Sequence, residues 1–391
     1  MVSVEEVFTP GAPVREEALF SDRPREVELL TNALKERGAQ IVVFGDSGVG
    51  KTSLVNFCLR TEGIKNVRVT CAADTTFSGL TATIFDRLGV QLPTASARQT
   101  SAGGELGGNL IVVKAGVQTT DATTYQYESA KPQPYDQLLA QAARQPLTLF
   151  IDDFEKVENQ GCRTAVANLA KGFSDMTMDG PVSRVILVGV AESVGDLTHL
   201  DRSVLARLRQ VHVPKMNREQ LRQIIAVGSA KLGIRFEPGV VERIVEYSSG
   251  YPRFTHLLAL ESVRETLKRK GVLVRGADLA AGVKRGVEYL KQTYQDQVER
   301  VKAYRHGSKP YKWEIVKAFA RTSDDVLRVS DLADVLTRAM EVQVRQSQFA
   351  PALRQLEDMR VATRTARGRW RLADPLLRSF VRMALESGEL T

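Results

Sequence analysis

A glycine-rich stretch near the N-terminus has the residue types and spacing of a phosphate-binding loop. Residues 45–52 read GDSGVGKT, which fits the pattern G-x-x-x-x-G-K-[ST] at each fixed position. Glycines let backbone N–H groups turn inward around phosphate oxygens, and the start of the following helix adds positive potential. We therefore expect a nucleoside triphosphate here, with Lys51 at its β- and γ-phosphates and the Thr52 hydroxyl on Mg²⁺.

An acidic pair at the end of a second apolar stretch provides the expected metal ligand. Leu147 to Ile151 predict a buried strand, and Asp152 and Asp153 follow at its carboxyl end. Asp152 is expected to hold Mg²⁺, directly or through water. Asp153 stands where many ATPases with such a loop carry a glutamate that polarises the attacking water, and its shorter side chain predicts slow turnover. Glu155 is a less favoured substitute, and a solvated helix cap is the alternative for the pair.

Further strands indicate the sheet on which these groups lie. Residues 183–193 read SRVILVGVAES and include Glu192, which we expect to sense the γ-phosphate or orient water. A polar surface residue is the alternative for Glu192. Residues 66–74 read NVRVTCAAD and predict another strand. Strands that alternate with helices predict an α/β fold with a parallel sheet, in which ligands gather at the carboxyl ends of the strands.

The composition is that of a globular chain with several domains. Its 391 residues are 43% hydrophobic and 26% charged, and they exceed what one compact core usually contains. Because no apolar run approaches the ~20 residues that span a bilayer, and the N-terminus is unlike a signal peptide, we expect a cytoplasmic protein without membrane contact. The formal charge of +8 permits nucleic-acid binding. Three cysteines without metal-ligand spacing indicate reduced thiols in the core: Cys58, Cys71 and Cys162.

The patterns along the chain predict three domains. Residues 1–213 form a nucleotide-binding α/β domain, with an insertion at 92–134 that is rich in Gly, Thr, Ala and Ser. Residues 214–300 form a helical lid, in which Asn217 and Gln220 have the spacing of a capping box. Arg253 is expected at the start of a lid helix that faces the nucleotide, where a cation neutralises phosphate charge. A surface arginine is the alternative.

A cluster of arginines lies just before the predicted lid. Arg202, Arg207 and Arg209 follow the strand that leads to Glu192. If the chain assembles head to tail as a homo-oligomer, one of them would act as an arginine finger on the ATP of a neighbouring copy, and we expect this to be Arg207. The solvated face of a basic helix is the alternative.

Residues 310–391 have the outline of a winged-helix domain. Three predicted helices are followed by a basic stretch that alternates around Gly368 as a β-hairpin does. The arginines of the third helix and of the hairpin are expected to contact phosphates of double-stranded DNA: Arg345, Arg354, Arg364, Arg367, Arg369 and Arg371. Winged helices also dock proteins, and an arginine-rich solvated surface is the remaining alternative.

Together these motifs resemble one group of ATPases. The chain is similar to AAA+ ATPases of the origin-recognition initiator type and to the related STAND-like ATPases with the same layout. Residues 45–53 match Walker A, and residues 149–155 match Walker B. The resemblance identifies an entry motif at 20–34, with Arg23 on the adenine side of the nucleotide. It also identifies an arginine-finger box at 205–210. It likens GYPRF at 250–254 to sensor 2 and to the G-x-P motif of STAND proteins, which adds Pro252 to the nucleotide site.

The resemblance implies an AAA+ type P-loop domain with a helical lid and a winged helix, and it implies a set of site residues. Nucleotide contacts are predicted at Gly45, Asp46, Ser47, Gly48, Val49, Gly50, Lys51, Thr52, Ser53, Arg23 and Pro252. Catalytic roles are predicted for Lys51, Asp152, Asp153, Glu192, Arg207 and Arg253, and Mg²⁺ ligation for Thr52 and Asp152. Glu192 departs from the sensor 1 asparagine of initiators.

Two functions fit these residues. The first is an ATPase of low turnover that acts as a molecular switch, in which ATP and Mg²⁺ order an oligomer and orient the winged helix on DNA. The second is a regulatory ATPase of a bacterial defence or signalling system, which docks an effector protein instead. A small-substrate kinase fits less well, because a lid with an arginine and a winged helix do not suit such a transferase.

Overall fold

The computed structural model of the chain describes most of its length. It covers residues 2–14, 19–20, 23–90, 134–176, 181–191, 208–303, 311–322 and 324–390. The predictions for Glu192 and Arg207, and nearly all of the predicted insertion at 92–134, lie outside these residues.

A five-stranded parallel sheet forms the centre of the N-terminal part. Its strands are β1 (Gln40–Gly45), β2 (Val67–Thr70), β3 (Thr148–Asp152), β4 (Arg184–Val190) and β5 (Leu208–His212). Their order across the sheet is β2-β3-β4-β1-β5, and every neighbouring pair is parallel. The predicted parallel α/β fold is confirmed. The loops after β1 and β3 therefore leave the same edge of the sheet on either side of β4.

Helices cover both faces of this sheet. They are α2 (Pro24–Lys35), α3 (Lys51–Thr61), α4 (Phe77–Arg87), α5 (Pro134–Arg144) and α6 (Gln160–Met176), whereas the short helix α1 (Val4–Val7) packs against helices that follow the sheet in the chain. Ile41 and Val43 of β1 belong to one apolar core, and Val42 and Phe44 belong to the other. Because successive side chains of a strand point to opposite faces, a strand buried on both sides reads as an unbroken apolar run.

Four helices follow the sheet, as the sequence predicts for the lid. They are α7 (Arg218–Leu232), α8 (Pro238–Ser248), α9 (Pro252–Lys268) and α10 (Gly276–Lys302), with a small parallel pair of strands, β6 (Arg235–Phe236) and β7 (Leu273–Val274). The predicted capping box of α7 is confirmed, since Gln220 N donates to Asn217 Oδ1 at 2.9 Å and Asn217 N donates to Gln220 Oε1 at 3.0 Å. The break between α8 and α9 places Pro252 at the first helical position, where its missing N–H costs nothing.

The C-terminal part contains helices and a small antiparallel sheet. Its helices are α11 (Tyr311–Arg321), α12 (Val329–Met340), α13 (Gln346–Asp358) and α14 (Pro375–Glu386). Its strands are β8 (Leu327–Arg328), β9 (Ala362–Ala366) and β10 (Arg369–Leu372), in the order β8-β10-β9. The long helix α10 packs on this part, where Tyr294 stacks on Phe380 with ring centroids 5.1 Å apart. Within the described residues, none of the helices combines the length and apolar character needed to cross a membrane.

Candidate nucleotide site

The glycine-rich loop joins the end of β1 to the start of α3. Lys51 is buried, and its Nζ donates to the carbonyl oxygens of Gly45 at 3.0 Å and Asp46 at 2.7 Å. Gly45 has φ 148°, and a Cβ there would lie 2.3 Å from the carbonyl oxygen of Val213. Gly50 precedes the helix with φ 97°, which also favours glycine. The loop is thus folded so tightly that it requires the glycines found in the motif.

The two predicted magnesium ligands lie next to each other. Thr52 Oγ1 donates to Asp152 Oδ2 at 3.0 Å, and Asp152 Oδ1 accepts from the N–H of Asp153 at 3.1 Å. Asp152 is only 3% exposed at the end of β3. A threonine hydroxyl and a carboxylate are oxygen donors of the type that Mg²⁺ takes beside phosphate oxygens. The residues present therefore fit this ion.

A basic side chain that the motif search missed also contacts Asp152. Arg68 lies on β2, and its Nη2 donates to Asp152 Oδ2 at 2.6 Å. Its guanidinium also lies over the ring of Phe150, 5.2 Å from the centroid. The signal in the sequence is weak, because an arginine between Val67 and Val69 is ordinary alternation along a half-buried strand. Only the pairing of β2 with β3 places Arg68 beside the acidic pair.

The two carboxylates that follow Asp152 differ in their surroundings. Asp153 has a left-handed backbone with φ 57°, and its Oδ2 accepts from Lys156 Nζ at 2.7 Å. Glu155 lies in the short 3₁₀ helix Phe154–Lys156, and its Oε2 is buried without a hydrogen-bond partner among the described residues. Both line the cavity of the glycine-rich loop. Burial lowers the pKa of Lys51, and the nearby carboxylates, Glu155 foremost, act in the opposite direction.

Arg23 ties the glycine-rich loop to the chain that leaves β5. It is 2% exposed, and it donates through Nη1 to the carbonyl of Pro214 at 2.9 Å and through Nη2 to the carbonyl of Val49 at 2.8 Å. Burial lowers the pKa of Arg23 to about 10, so its guanidinium stays charged at neutral pH. Arg23 lines the same cavity, as its predicted place on the nucleotide implies.

The first turn of α9 lies directly against the loop. Arg253 Cβ is 3.6 Å from where a Cβ on Gly48 would be, and Pro252 Cγ is 4.0 Å from the corresponding point on Gly50. A cavity of about 460 Å³ runs between the loop and the lid. Among the residues that line it are Ser47, Gly48, Gly50, Lys51, Thr52, Ser53, Asp152, Asp153 and Arg253. Most of the predicted site residues that the structure describes meet in one space.

The cavity also has an apolar share of its lining. It is lined by residues 9–14, Leu19, Phe20, Met216, Ile224, Pro252 and His256. His256 Nδ1 accepts from the N–H of Thr9 at 3.2 Å, and burial lowers the pKa of His256 to about 4, which keeps the imidazole neutral at neutral pH. An apolar pocket with a few polar groups beside a phosphate loop has the character of a nucleobase site. Motif spacing did not reveal His256, since a histidine within a lid helix has no distinctive neighbours.

The C-terminal part also contacts the glycine-rich loop. Arg371 Nη1 of β10 is 3.8 Å from Asp46 Oδ1, and Tyr251 Oη of the lid donates to Asp46 Oδ2 at 3.1 Å. Leu376 Cδ2 is 3.3 Å from where a Cβ on Gly48 would be. The side chain of Arg371 thus faces the loop, whereas the sequence predicts it on a DNA-binding hairpin.

Comparison with known proteins agrees with this architecture. A family model described as Novel STAND NTPase 1 matches residues 13–274. A Walker-type ATPase of Pyrococcus abyssi has a similar solved structure, with a TM-score of 0.55, 17% identity and coverage of 96% of this chain and 99% of that one. The ORC1 protein of Aeropyrum pernix in complex with DNA gives a TM-score of 0.48 at 14% identity, covering 99% of this chain and 98% of that one. No curated protein sequence matches the chain. The likeness to the Pyrococcus structure confirms the predicted P-loop ATPase fold.

Proposed function

The chain belongs to the novel STAND NTPase 1 family, and we propose that it is an ATP-binding and slowly hydrolysing molecular switch. Nucleotide state would set how the lid and the C-terminal part sit on the glycine-rich loop. The observation that carries this proposal is the loop itself, since Asp46 contacts the lid through Tyr251 and the C-terminal part through Arg371. A loop that binds phosphate cannot change its contacts without affecting both neighbours.

The shape of the cavity supports ATP as the nucleotide. Its apolar side chains would pack on a purine base, and Lys51 and Arg253 would supply positive charge for the phosphates. Thr52 and Asp152 would hold Mg²⁺, which neutralises charge on the transferred phosphoryl group when bound. Asp152 is also paired with Arg68, which orients the carboxylate but competes with the ion for it.

Charged groups surround the place where the three parts meet. Lys215 forms an ion pair with Asp325 and lies over the ring of Tyr251, 4.4 Å from the centroid. Arg378 of α14 also pairs with Asp325. Burial raises the pKa of Tyr251, so its hydroxyl keeps its proton and remains a donor to Asp46. Such a cluster of ion pairs can exchange partners when phosphate charge arrives, which is the property a nucleotide switch needs.

Double-stranded DNA is the target that we propose, through a winged helix in residues 310–391. Of the six arginines predicted to contact phosphates, five are exposed and available for that contact: Arg345, Arg354, Arg364, Arg367 and Arg369. Arg371 is not part of this set, because it faces the glycine-rich loop. A basic hairpin next to a helix is a common arrangement for gripping a duplex.

An effector protein is the second candidate target. On α13 the exposed Arg354 is followed by exposed Glu357 and Asp358, which are its neighbours on the helix surface. Mixed charge of this kind repels a phosphate backbone locally and suits a protein partner. The arginine finger Arg207 lies outside the described residues and remains a proposal, as does the homo-oligomer in which it would act.

Labelled variants of the full chain test the switch. Exposed Arg60 of α3 and exposed Arg367 of the hairpin become dye sites in the double variant Arg60→Cys, Arg367→Cys. The native thiols react poorly, because all three are buried and burial raises the pKa of Cys58 to about 11 and that of Cys71 to about 12. We expect energy transfer between the dyes to differ among the nucleotide-free, ADP-bound and ATP-analogue-bound protein.

The same experiment includes a control variant and an outcome that would contradict the switch. Lys51→Ala in the labelled background removes the phosphate-binding cation, so its energy transfer should not respond to either nucleotide. Nucleotide that binds without changing energy transfer would contradict the switch.

Duplex DNA, titrated at about 50 and 200 mM salt, then separates the targets, because phosphate contacts make binding steeply salt-dependent. A protein that binds no duplex at low salt would favour the effector.

A further inference from the structure

A residue that lines the nucleotide cavity has a buried carboxylate oxygen that the described residues leave unpaired. Oε2 of Glu155 makes no hydrogen bond among the described residues, although the residue lines the cavity that Lys51, Thr52 and Asp152 also line. Buried polar atoms are nearly always satisfied by protein or by ordered water. An ionised carboxylate oxygen can only accept, so Oε2 has a free accepting position that a donor such as water would fill.

Asp153, which occupies the position usual for the catalytic carboxylate, is engaged elsewhere. Its Oδ2 accepts from Lys156 Nζ at 2.7 Å, and its side chain is 38% exposed. The lysine therefore occupies one oxygen of the Asp153 carboxylate. Asp153 and Glu155 both line the cavity, but Asp153 precedes the short 3₁₀ helix with a left-handed backbone, whereas Glu155 lies within that helix.

The turn that carries Glu155 is firmly held. Arg163 of α6 donates through Nε to the carbonyl of Val157 at 2.6 Å and through Nη2 to the carbonyl of Glu155 at 3.0 Å. The guanidinium of Arg163 lies over the ring of Phe154, which is fully buried. A group that orients a reactant must itself be fixed, and these contacts fix the backbone of Glu155.

We propose that Glu155, and not Asp153, binds and activates the water that attacks ATP. This role rests on the proposed ATP hydrolysis and names its general base. The water oxygen forms a bond to the γ-phosphorus as the bond from that phosphorus to the β,γ-bridging oxygen breaks. The water proton passes to the Glu155 carboxylate and then to the released phosphate, so the products are ADP and inorganic phosphate. Lys51 and Arg253 balance the charge that gathers on the phosphoryl oxygens.

Two isosteric substitutions in the full chain separate the carboxylates. Glu155→Gln and Asp153→Asn each remove one negative charge and keep side-chain size, so each is the control for the other. Hydrolysis is followed in a single turnover with protein in excess over radiolabelled ATP, and affinity with a fluorescent ATP analogue. We expect the hydrolysis rate of Glu155→Gln to fall by about 100-fold, the usual loss for a general base, with affinity within about threefold. The rate of Asp153→Asn should fall by about tenfold less than that of Glu155→Gln.

Other outcomes overturn the assignment in distinguishable ways. Equal loss in both variants would refute the choice of Glu155 over Asp153, and loss in Asp153→Asn alone would assign the water to Asp153. If Glu155 only balances the charge of Lys51, Glu155→Gln would change the affinity for ATP and leave the hydrolysis rate of bound ATP unaltered. Thermal unfolding of each variant identifies misfolding. Glu155→Asp provides a second test: its shortened carboxylate should keep the affinity for ATP, and the variant should hydrolyse ATP slowly. A parent protein that binds ATP but never hydrolyses it would refute the proposed hydrolysis, and one that binds no ATP would refute the site.

Discussion

The ion pair between Arg68 and Asp152 predicts that Arg68 lowers the affinity of the nucleotide site for Mg²⁺. Its Nη2 lies 2.6 Å from a carboxylate that is also an expected metal ligand. Two unit charges about 4 Å apart attract by about 4 kcal/mol at an effective dielectric constant of 20. Arg68 is 37% exposed, so solvent screens much of this attraction. We take about 1 kcal/mol as the net value, as measured for partly solvated pairs, which corresponds to about fivefold in affinity.

The substitution Arg68→Gln should therefore lower the Mg²⁺ concentration at half-saturation by about fivefold. Binding of fluorescent ADP is measured while Mg²⁺ is titrated into a metal-chelated sample, so the readout does not depend on hydrolysis. Arg68→Lys retains the charge and should stay near the parent value. Arg60→Gln removes an exposed charge from α3 and serves as the matched control. An unchanged or raised half-saturation point in Arg68→Gln would refute competition between the guanidinium and the metal ion.

Three further predictions follow from single contacts. Arg371→Gln removes the charge that faces Asp46. The pair is partly buried and worth about 1 kcal/mol, so the ratio of the energy-transfer populations of the labelled protein should change by about fivefold. Gly45→Ala should lower the free energy of unfolding by about 3 kcal/mol in a denaturant titration, because a Cβ there meets a backbone carbonyl at 2.3 Å and φ is 148°. His256 has a pKa of about 4 in the folded protein and an ordinary value of 6.5, so the unfolded chain binds its proton first as pH falls. Stability should therefore drop by about 2 kcal/mol between pH 7.5 and 5, a loss that His256→Gln should not show.

Each of these predictions has a contrasting variant. Arg367→Gln removes an exposed hairpin charge and should not alter the energy transfer that Arg371→Gln changes, provided the dye is placed elsewhere on the hairpin. Gly63→Ala meets no atom within 4 Å but has φ 64°, so it should cost only about 1 kcal/mol of backbone strain. If Gly45→Ala and Gly63→Ala destabilise equally, the close approach at Gly45 is not what restricts that position. An acid sensitivity that persists in His256→Gln would assign it to other groups.

The local features of this protein were predictable because their signals lie close together in the chain. Lys51 and Thr52 follow their glycines within one turn, and the structure folds that stretch into a strand, loop and helix. Asn217 and Gln220 satisfy each other across three residues. Parallel packing with both faces covered also follows from apolar strands that alternate with helices.

What the sequence by itself determined is thus the nucleotide loop, its acidic partner Asp152 and the kind of sheet that carries them. Only the tertiary structure decided which other side chains join them. Arg68 meets Asp152 because β2 pairs with β3, and Arg371 meets Asp46 because the C-terminal part packs on the loop. Glu155 is distinguished from Asp153 only by burial and by Lys156. Strand order, burial and packing between domains come from the free energy of the whole chain, and no spacing of residues along it records them.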